Sequence, residues 1–425
     1  MTHLWSHRAL ALLLSALVLV ACNDAATTPD GQDAPAGDAD GAASEPTANV
    51  TEGCVEDATE DVDYFPDKVE FEEATGVDVA YSATYKLVEV TPPDAPDAEP
   101  FRIVLHQCGT PDPELDTEIA DVPVIQVPVD EVVSLTTTNL PHFDELDATD
   151  RLVGVGTPDF VTTESVRERI DAGEVEGFAD AEGQPDIEQL VAAGPDLVVM
   201  DAFGDAVLDD VGRLREAGIP TAVNADFDEE TLLGRAEWLK FTSLFLNAEA
   251  EATTRFDEIA GRYEEIVERA AEADEQPTVF ANTPFEGTWF IPGGGSFLAN
   301  AIADAGGEYV FDDDDATGGV QVDFETVLDR AGDADVWIQA GSVDGSLDDL
   351  LAEDERFAQF AAFTEGEVYA YDRWVTEGGG NAVFETAYTR ADLFLADLAK
   401  IFHPDVFDDH EFVFFGRVPA DPTDS

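Results

Sequence analysis

The stretch Val322–Gln339, VDFETVLDRAGDADVWIQ, decides how this 425-residue chain folds. It opens on an acidic pair, Asp323 and Glu325, and runs through a short helical pattern. After Asp335 it turns into the apolar run VWI, so it reads as a helix feeding a buried strand. Pro185–Asp201, PDIEQLVAAGPDLVVMD, says the same thing, with Asp186 and Glu188 in the matching places 137 residues earlier. One helix-strand unit written twice predicts two similar halves.

Working outward, the same alternation continues on both sides of each copy. Before and after the first lie the strands VVSLT, RLVGVG, DLVVM and IPTAVN, separated by helical patterns. Around the second lie TVFAN, YVF, DVWIQ and EVYAYD, and the chain closes on a long helical run, NAVFETAYTRADLFLADLAKIF, and the tail EFVFFGRV. Strands that alternate with helices predict parallel sheets covered on both faces. Between the halves, Asp228 to Asp274 has no strand signal. Phe256, Ile259, Tyr263, Ile266, Val267 and Ala270 recur at helical spacing there, with a break near Asn247. The fold class is therefore α/β: two Rossmann-like lobes joined by a long interlobe helix, with a small β-rich N-terminal segment. The expected boundaries are a leader at 1–21, a tether at 22–50, the β-rich leading segment at 51–130, a first lobe at 131–227, a helical connector at 228–274 and a second lobe at 275–425.

Charge bounds the function. Asp and Glu number 94 against 20 Lys and Arg, a formal charge of −74. Such a surface repels nucleic acid, which is excluded as a partner. It also repels itself unless salt screens it; the Debye length falls to about 3 Å at molar salt. The imbalance runs along the whole chain after the leader and points to a saline medium.

The N-terminus sets the compartment. His7 and Arg8 precede the apolar run Ala9–Val20, too short to span a membrane and of signal-peptide length. It ends Leu19-Val20-Ala21-Cys22, which resembles a bacterial lipoprotein signal. That resemblance implies cleavage before Cys22, acylation of Cys22, and a membrane-anchored, extracytoplasmic protein held by lipid. Residues 23 to 50 hold a single larger aliphatic, Val50, and no aromatic, so they read as a tether. Two cysteines remain, Cys54 and Cys108. In an exported chain they form one disulfide or stay as two buried thiols.

From about Asp130 to Pro419 the chain resembles the ABC-importer substrate-binding lipoproteins of the iron-chelate and cobalamin (iron-complex) family. The residues that carry it are VVSLTTTNLPHFDELDATDRLVGVG, DIEQLVAAGPDLVV, GGGSFLANAIADAGGEYVF, VDFETVLDRAGDADVWI and GGGNAVFETAYTRADLFLADLAKIFHPDVF. The resemblance implies a two-lobed, monomeric protein that binds a metal-chelate small molecule in the interlobe cleft and does no chemistry itself. It implies a permease dimer as partner, met by one glutamate on each lobe; the matching positions are Glu188 and Glu325. Acids are abundant enough that chance or the helix-start preference for acids also accounts for this echo. Iron delivery in siderophore form is the expected activity, with cobalamin or haem as alternatives on the same fold. An exported two-domain α/β hydrolase is the rival from another class, though no GxSxG elbow is present.

The cleft lies where strand ends of the two lobes face each other. Candidate ligand residues are Thr137, Thr138, Asn139, Thr157 and Phe203 from the first lobe. From the second come Phe285, Trp289, Phe290, Gln339, Arg373, Trp374 and Asn381. Aromatics with one cation suit a ring-bearing or catecholate ligand. Trp289 and Phe290 read equally as a core strand, and Arg373 equally as half of an ion pair. The runs Gly293–Gly295 and Gly378–Gly380 read as tight turns against a ligand. No cofactor is expected, and His106, His142, His403 and His410 lack metal-ligand spacing, so no protein-held metal is expected either.

Overall fold

The computed structural model describes residues 46–59, 62–180, 183–202 and 205–421. The leader, Cys22, most of the tether and Phe203 lie outside these residues. The two echoed segments form the same unit. Asp186 caps helix Ile187–Ala193 by accepting from the Gln189 N–H at 3.0 Å, and Gly194 ends the helix in the left-handed region, φ 66°. Asp323 caps helix Phe324–Ala331 by accepting from the Thr326 N–H at 2.8 Å. Half of the echo is thus helix capping.

Four sheets surround these helices. In the leading segment, β1 (Val77–Tyr81), β2 (Tyr85–Val90), β3 (Phe101–Gln107) and β4 (Val124–Val127) form a sheet in that order. Its first three strands are antiparallel, and β4 runs parallel to β3. The first lobe holds β5 (Val132–Ser134), β6 (Leu152–Val155), β7 (Glu176–Gly177), β8 (Leu197–Asp201) and β9 (Thr221–Asn224). All are parallel, in the order β7-β6-β5-β8-β9.

The second lobe holds β10 (Thr278–Ala281), β11 (Pro284–Phe285), β12 (Thr288–Pro292), β13 (Glu308–Tyr309), β14 (Gly319–Val322), β15 (Val336–Ile338), β16 (Val368–Ala370) and β17 (Gly416–Arg417). Its main sheet runs β13-β10-β15-β16-β17, parallel except for the edge strand β17. Strands β11, β12 and β14 make a separate antiparallel sheet. Stacked aromatics fill this lobe: the Phe280 ring lies 5.1 Å from Trp337 and 5.0 Å from Phe360.

The connector is two helices, Leu232–Leu246 and Glu249–Ala271, broken at Asn247 with φ 56°. Every residue of the first helix except Leu233 is buried. Its charged residues therefore need partners inside the protein, and the leading segment supplies several. The Glu237 carboxylate accepts from the N–H groups of Glu72, Glu73 and Ala74 and pairs with Lys240 at 2.7 Å. Just upstream, Glu229 accepts from the N–H groups of Thr75 and Gly76 and from the Trp238 indole. Lys86 of β2 pairs with Glu249 at 2.6 Å, with neither side chain exposed, and also donates to the Leu244 carbonyl and Asn247 Oδ1. The leading segment also shares one apolar core with the first lobe and the connector: Phe65, Ile103 and Leu105 cluster with Val132 and Leu152 of the lobe and Trp238 and Phe241 of the connector. Cys54 and Cys108 form a disulfide, tying residues ahead of the sheet to the end of β3.

Two expectations about local structure differ from what is found. The closing helix is not continuous. It divides into Ala382–Phe384, Thr386–Thr389 and Ala391–Phe402, with breaks at Glu385 and Arg390. Glu385 leaves helical geometry (φ −134°, ψ −85°), and its carboxylate accepts from Thr162 N, Thr163 N and Thr163 Oγ1 of the first lobe at 2.9, 2.7 and 2.5 Å. The glycine runs face protein rather than ligand. A Cβ on Gly293 would sit 2.1 Å from the Ala316 carbonyl oxygen, and one on Gly380 would sit 1.8 Å from that of Phe160. The second contact joins the lobes: Thr376 Oγ1 donates to the Asp159 carbonyl at 2.6 Å beside it.

Candidate ligand-binding cleft

A cavity of about 570 Å³ opens where the second lobe's strands end against residues 227–235. Asn282 follows β10, Gln339 follows β15 and Tyr371 follows β16, and all three line it. The carboxyl ends of parallel strands are the usual ligand side of such sheets. Asn282 and Gln339 both hold left-handed backbone, φ 68° and 56°. Non-glycine residues kept there store roughly 1 kcal/mol or more each, a cost that concentrates at functional sites. Phe227, Phe290 and Phe384 present partly exposed rings, 38 to 45% accessible, to the same cavity. A second cavity of about 440 Å³ at the Asn247 break has neither strand ends nor aromatic rings in its wall.

The floor of the cleft is Arg235. Its Nε donates to the Glu229 carbonyl at 3.0 Å and its Nη2 to the Phe227 carbonyl at 2.5 Å. The guanidinium lies 3.7 Å from the centre of the Phe297 ring, 4.5 Å from Tyr388 and 5.4 Å from Phe227. Such a cage is worth about 0.5–2 kcal/mol per ring face to a desolvated cation. The side chain is only 4% exposed, yet Nη1 has no hydrogen-bond partner. An unpaired buried donor of this kind costs about 1–3 kcal/mol.

Carboxylates surround this single cation. Asp94, Asp228 and Glu230 line the cavity, while Glu229 is consumed by its backbone bonds. Burial and then the nearby Asp94 charge push Asp228 up to about 6. Behind it Asp226 is fully buried and likewise pushed up to about 6 by burial, against the pull of the Thr138 hydroxyl and Arg235. Burial also raises Tyr388.

Of the residues expected to bind ligand, Phe290 and Gln339 line the cavity. Trp289 does not: it is fully buried in the second-lobe core and donates to the Ala281 carbonyl at 3.0 Å. Alternation along β12 turns Trp289 and Ile291 inward and Phe290 outward. Asn139 is buried and accepts from Ser134 Oγ at 2.7 Å, and Thr138 donates to Asp226 at 3.1 Å, so both are committed to first-lobe structure. Thr137 and Thr157 are half-buried in neighbouring turns, outside the cavity wall. Phe285 is exposed at the β11 hairpin. Arg373 and Trp374 are exposed beside the Thr376–Gly380 loop, and Arg373 has no ion-pair partner among the described residues. Asn381 caps the turn after that loop by accepting from Val383 N. Phe203 lies outside the described residues. His142 is buried, bonded to Thr242 Oγ1 at 2.8 Å and pushed down to about 3 by desolvation, so it is a neutral core residue.

Sequence reasoning missed Arg235, Phe297, Tyr371 and Phe384. For Arg235 a signal existed. Arg235, with Glu237 and Lys240, interrupts the largely apolar run that opens the connector, and charges buried there had to find partners.

The periplasmic binding protein family matches residues 132–373, more than half of the chain. The chain belongs to that family. It is 30% identical over 303 residues to an uncharacterized lipoprotein of Methanocaldococcus jannaschii, covering 68% of this chain and 73% of that one. A second lipoprotein of that organism is 26% identical over 238 residues, and the match spans about half of its length (53%) and 54% of this chain. Among solved structures, a possible iron-binding periplasmic solute-binding protein of Staphylococcus epidermidis aligns with TM-score 0.52 at 17% identity. The alignment covers 65% of this chain and 99% of the other. Helicobacter pylori CeuE, solved as a nickel–histidine complex, aligns with TM-score 0.51 at 17% identity, covering 68% and 87%. These two likenesses show the two-lobed α/β fold. Periplasmic binding proteins are extracytoplasmic solute-binding partners of ABC transporters: they bind small molecules and deliver them to permeases rather than transform them.

The two glutamates of the echo sit on helix first turns. Glu188 is exposed, and Glu325 is 79% exposed with Arg356 Nη1 at 3.9 Å.

Proposed function

We propose that the cleft takes an oxygen-rich metal chelate of siderophore type, with iron as the expected metal, and that the protein passes it intact to an ABC permease. The observation that carries this reading is Arg235, a largely buried guanidinium caged by aromatic rings, on the lining of a 570 Å³ cavity. A guanidinium in that setting is built to receive a chelate's oxygens, and the surrounding rings suit its planar groups. Among the described residues no three His, Cys, Asp or Glu side chains are grouped to hold a metal. A metal entering this cleft would therefore bring its own donors. The iron-binding description of the Staphylococcus epidermidis neighbour points the same way.

The same reading makes Glu188 and Glu325 the docking acids, one per lobe, for a two-fold permease. It makes Cys22 the site of lipid attachment on a monomer at the extracytoplasmic membrane face. The charge of −74 fits a saline setting. Calorimetric titration with a ferric trihydroxamate, a ferric tris-catecholate, haem and cobalamin tests the ligand class. A ferric chelate should bind, and Arg235→Lys, which keeps the charge but loses the planar fork, should weaken it about 10- to 100-fold. Tight binding of haem or cobalamin alone would replace the chelate reading, and conversion of any ligand would favour an enzyme.

A further inference from the structure

The leading segment lies outside the family match at 132–373, yet it reaches the cleft. The reach is made by the loop between β2 and β3, whose Asp94 forms part of the cavity wall. The loop is held there by a chain of contacts. Thr91 N donates to the Gly76 carbonyl at 2.9 Å, and Gly76 N donates to Glu229 Oε1 at 2.9 Å. A Cβ on Gly76 would meet Pro93 at 2.9 Å, so the loop packs on the glycine itself. Glu229 is next in sequence to Asp228, and this chain of bonds brings Asp94 close enough for its charge to act on Asp228.

Neither carboxylate has an ion-pair partner among the described residues. Glu230, on the same wall, adds a third negative group. Arg235, 4% exposed, lines the same cavity and is bonded to the carbonyls on either side of Asp228. The cleft thus sets one largely buried cation beside its wall of acids. A multiply anionic ligand would satisfy the cation and be repelled by the wall. A ligand that carries both acceptor oxygens and a positive group satisfies both.

Resting on the chelate reading above, we propose that Asp94 and Asp228 are specificity-determining residues that select oxygen-rich chelates carrying an ammonium group. Arg235 receives the chelate oxygens, and the two carboxylates receive the ammonium. The loop of the leading segment thereby adds to the cleft a recognition element that the lobes alone lack. Discrimination comes as much from repulsion of anionic chelates as from attraction of the cation.

The test is a titration of the full chain with two ferric linear trihydroxamates identical except at one end, one with a free primary ammonium and the other N-acetylated. The ammonium form should bind at least ten times more tightly to the unaltered protein. Asp94→Asn, an exposed and isosteric change, should reduce that ratio at least fivefold. Equal affinity for the two chelates, or an unchanged ratio in Asp94→Asn, overturns the inference while leaving the chelate reading intact. If neither trihydroxamate binds but a tris-catecholate does, the inference is also overturned. If no ferric chelate binds to protein shown to be folded, the reading on which it rests falls as well.

Discussion

Replacing Lys86 by methionine probes how the leading segment is fastened to the connector. The Lys86 ammonium donates to three acceptors: Glu249 Oε1 at 2.6 Å, the Leu244 carbonyl at 2.5 Å and Asn247 Oδ1 at 2.8 Å. Both partners of the ion pair are fully buried. Methionine fills the space of the stem but leaves Glu249 with Asn49 Nδ2, at 2.8 Å, as its remaining side-chain donor. Breaking a buried pair from one side costs about 3–5 kcal/mol, because the other charge stays desolvated. All three acceptors are deprived of their donor together, so the upper half of that range, about 4–5 kcal/mol, is expected. Adding Glu249→Gln removes the stranded charge and should recover about 2 kcal/mol or more. Urea unfolding at constant salt is the suitable assay, since guanidinium chloride would change the screening that this acidic chain needs. The deficit should not shrink with added salt, because the pair is out of reach of ions. A loss below about 1 kcal/mol for Lys86→Met, or a double variant no more stable than the single one, would refute the reasoning.

Three other outcomes are expected. Asp226→Asn should stabilise the protein at pH 8 by up to about 3 kcal/mol, since burial pushes Asp226 up to about 6 from an ordinary value near 4. A carboxyl so raised contributes stability below pH 4 that is lost as pH rises through 6, and urea midpoints across pH 4–8 should lose that slope in the variant. Glu188→Ala combined with Glu325→Ala should leave chelate affinity unchanged and lower cellular uptake at least tenfold; uptake at the normal rate would remove both from docking. Lowering salt from molar to about 0.05 M should reduce the unfolding midpoint steadily, and full stability in dilute buffer would argue against a saline setting.

The two lobes were readable because strand and helix patterns alternate cleanly from Val132 to Ala370, and because Asp186 and Asp323 are helix caps whose job is local. The burial of Trp289 and exposure of Phe290 were also within reach, since period-two alternation in TWFIP puts one in and the other out. The cleft was harder. Arg235 belongs by sequence to the connector and reaches the site only because the turn at Asp226–Asp228 folds beside it. The abundance of acid hid the few that matter: Glu229, Glu237, Glu249 and Glu385 look like surface residues among 94 and are each nearly inaccessible. The break in the closing helix is written in no propensity. It comes from Glu385 turning to meet a helix start more than 220 residues away.

The buried helix Leu232–Leu246 passes from one apolar core into the other: Leu232 and Ala236 pack in the second lobe, Trp238, Phe241 and Leu244 in the first. Neither core is complete without it, so neither half can melt while leaving the other whole. A scanning calorimeter should record one endotherm for the two lobes together, and a chain cut anywhere within this helix should yield two fragments that each fail to fold when made alone.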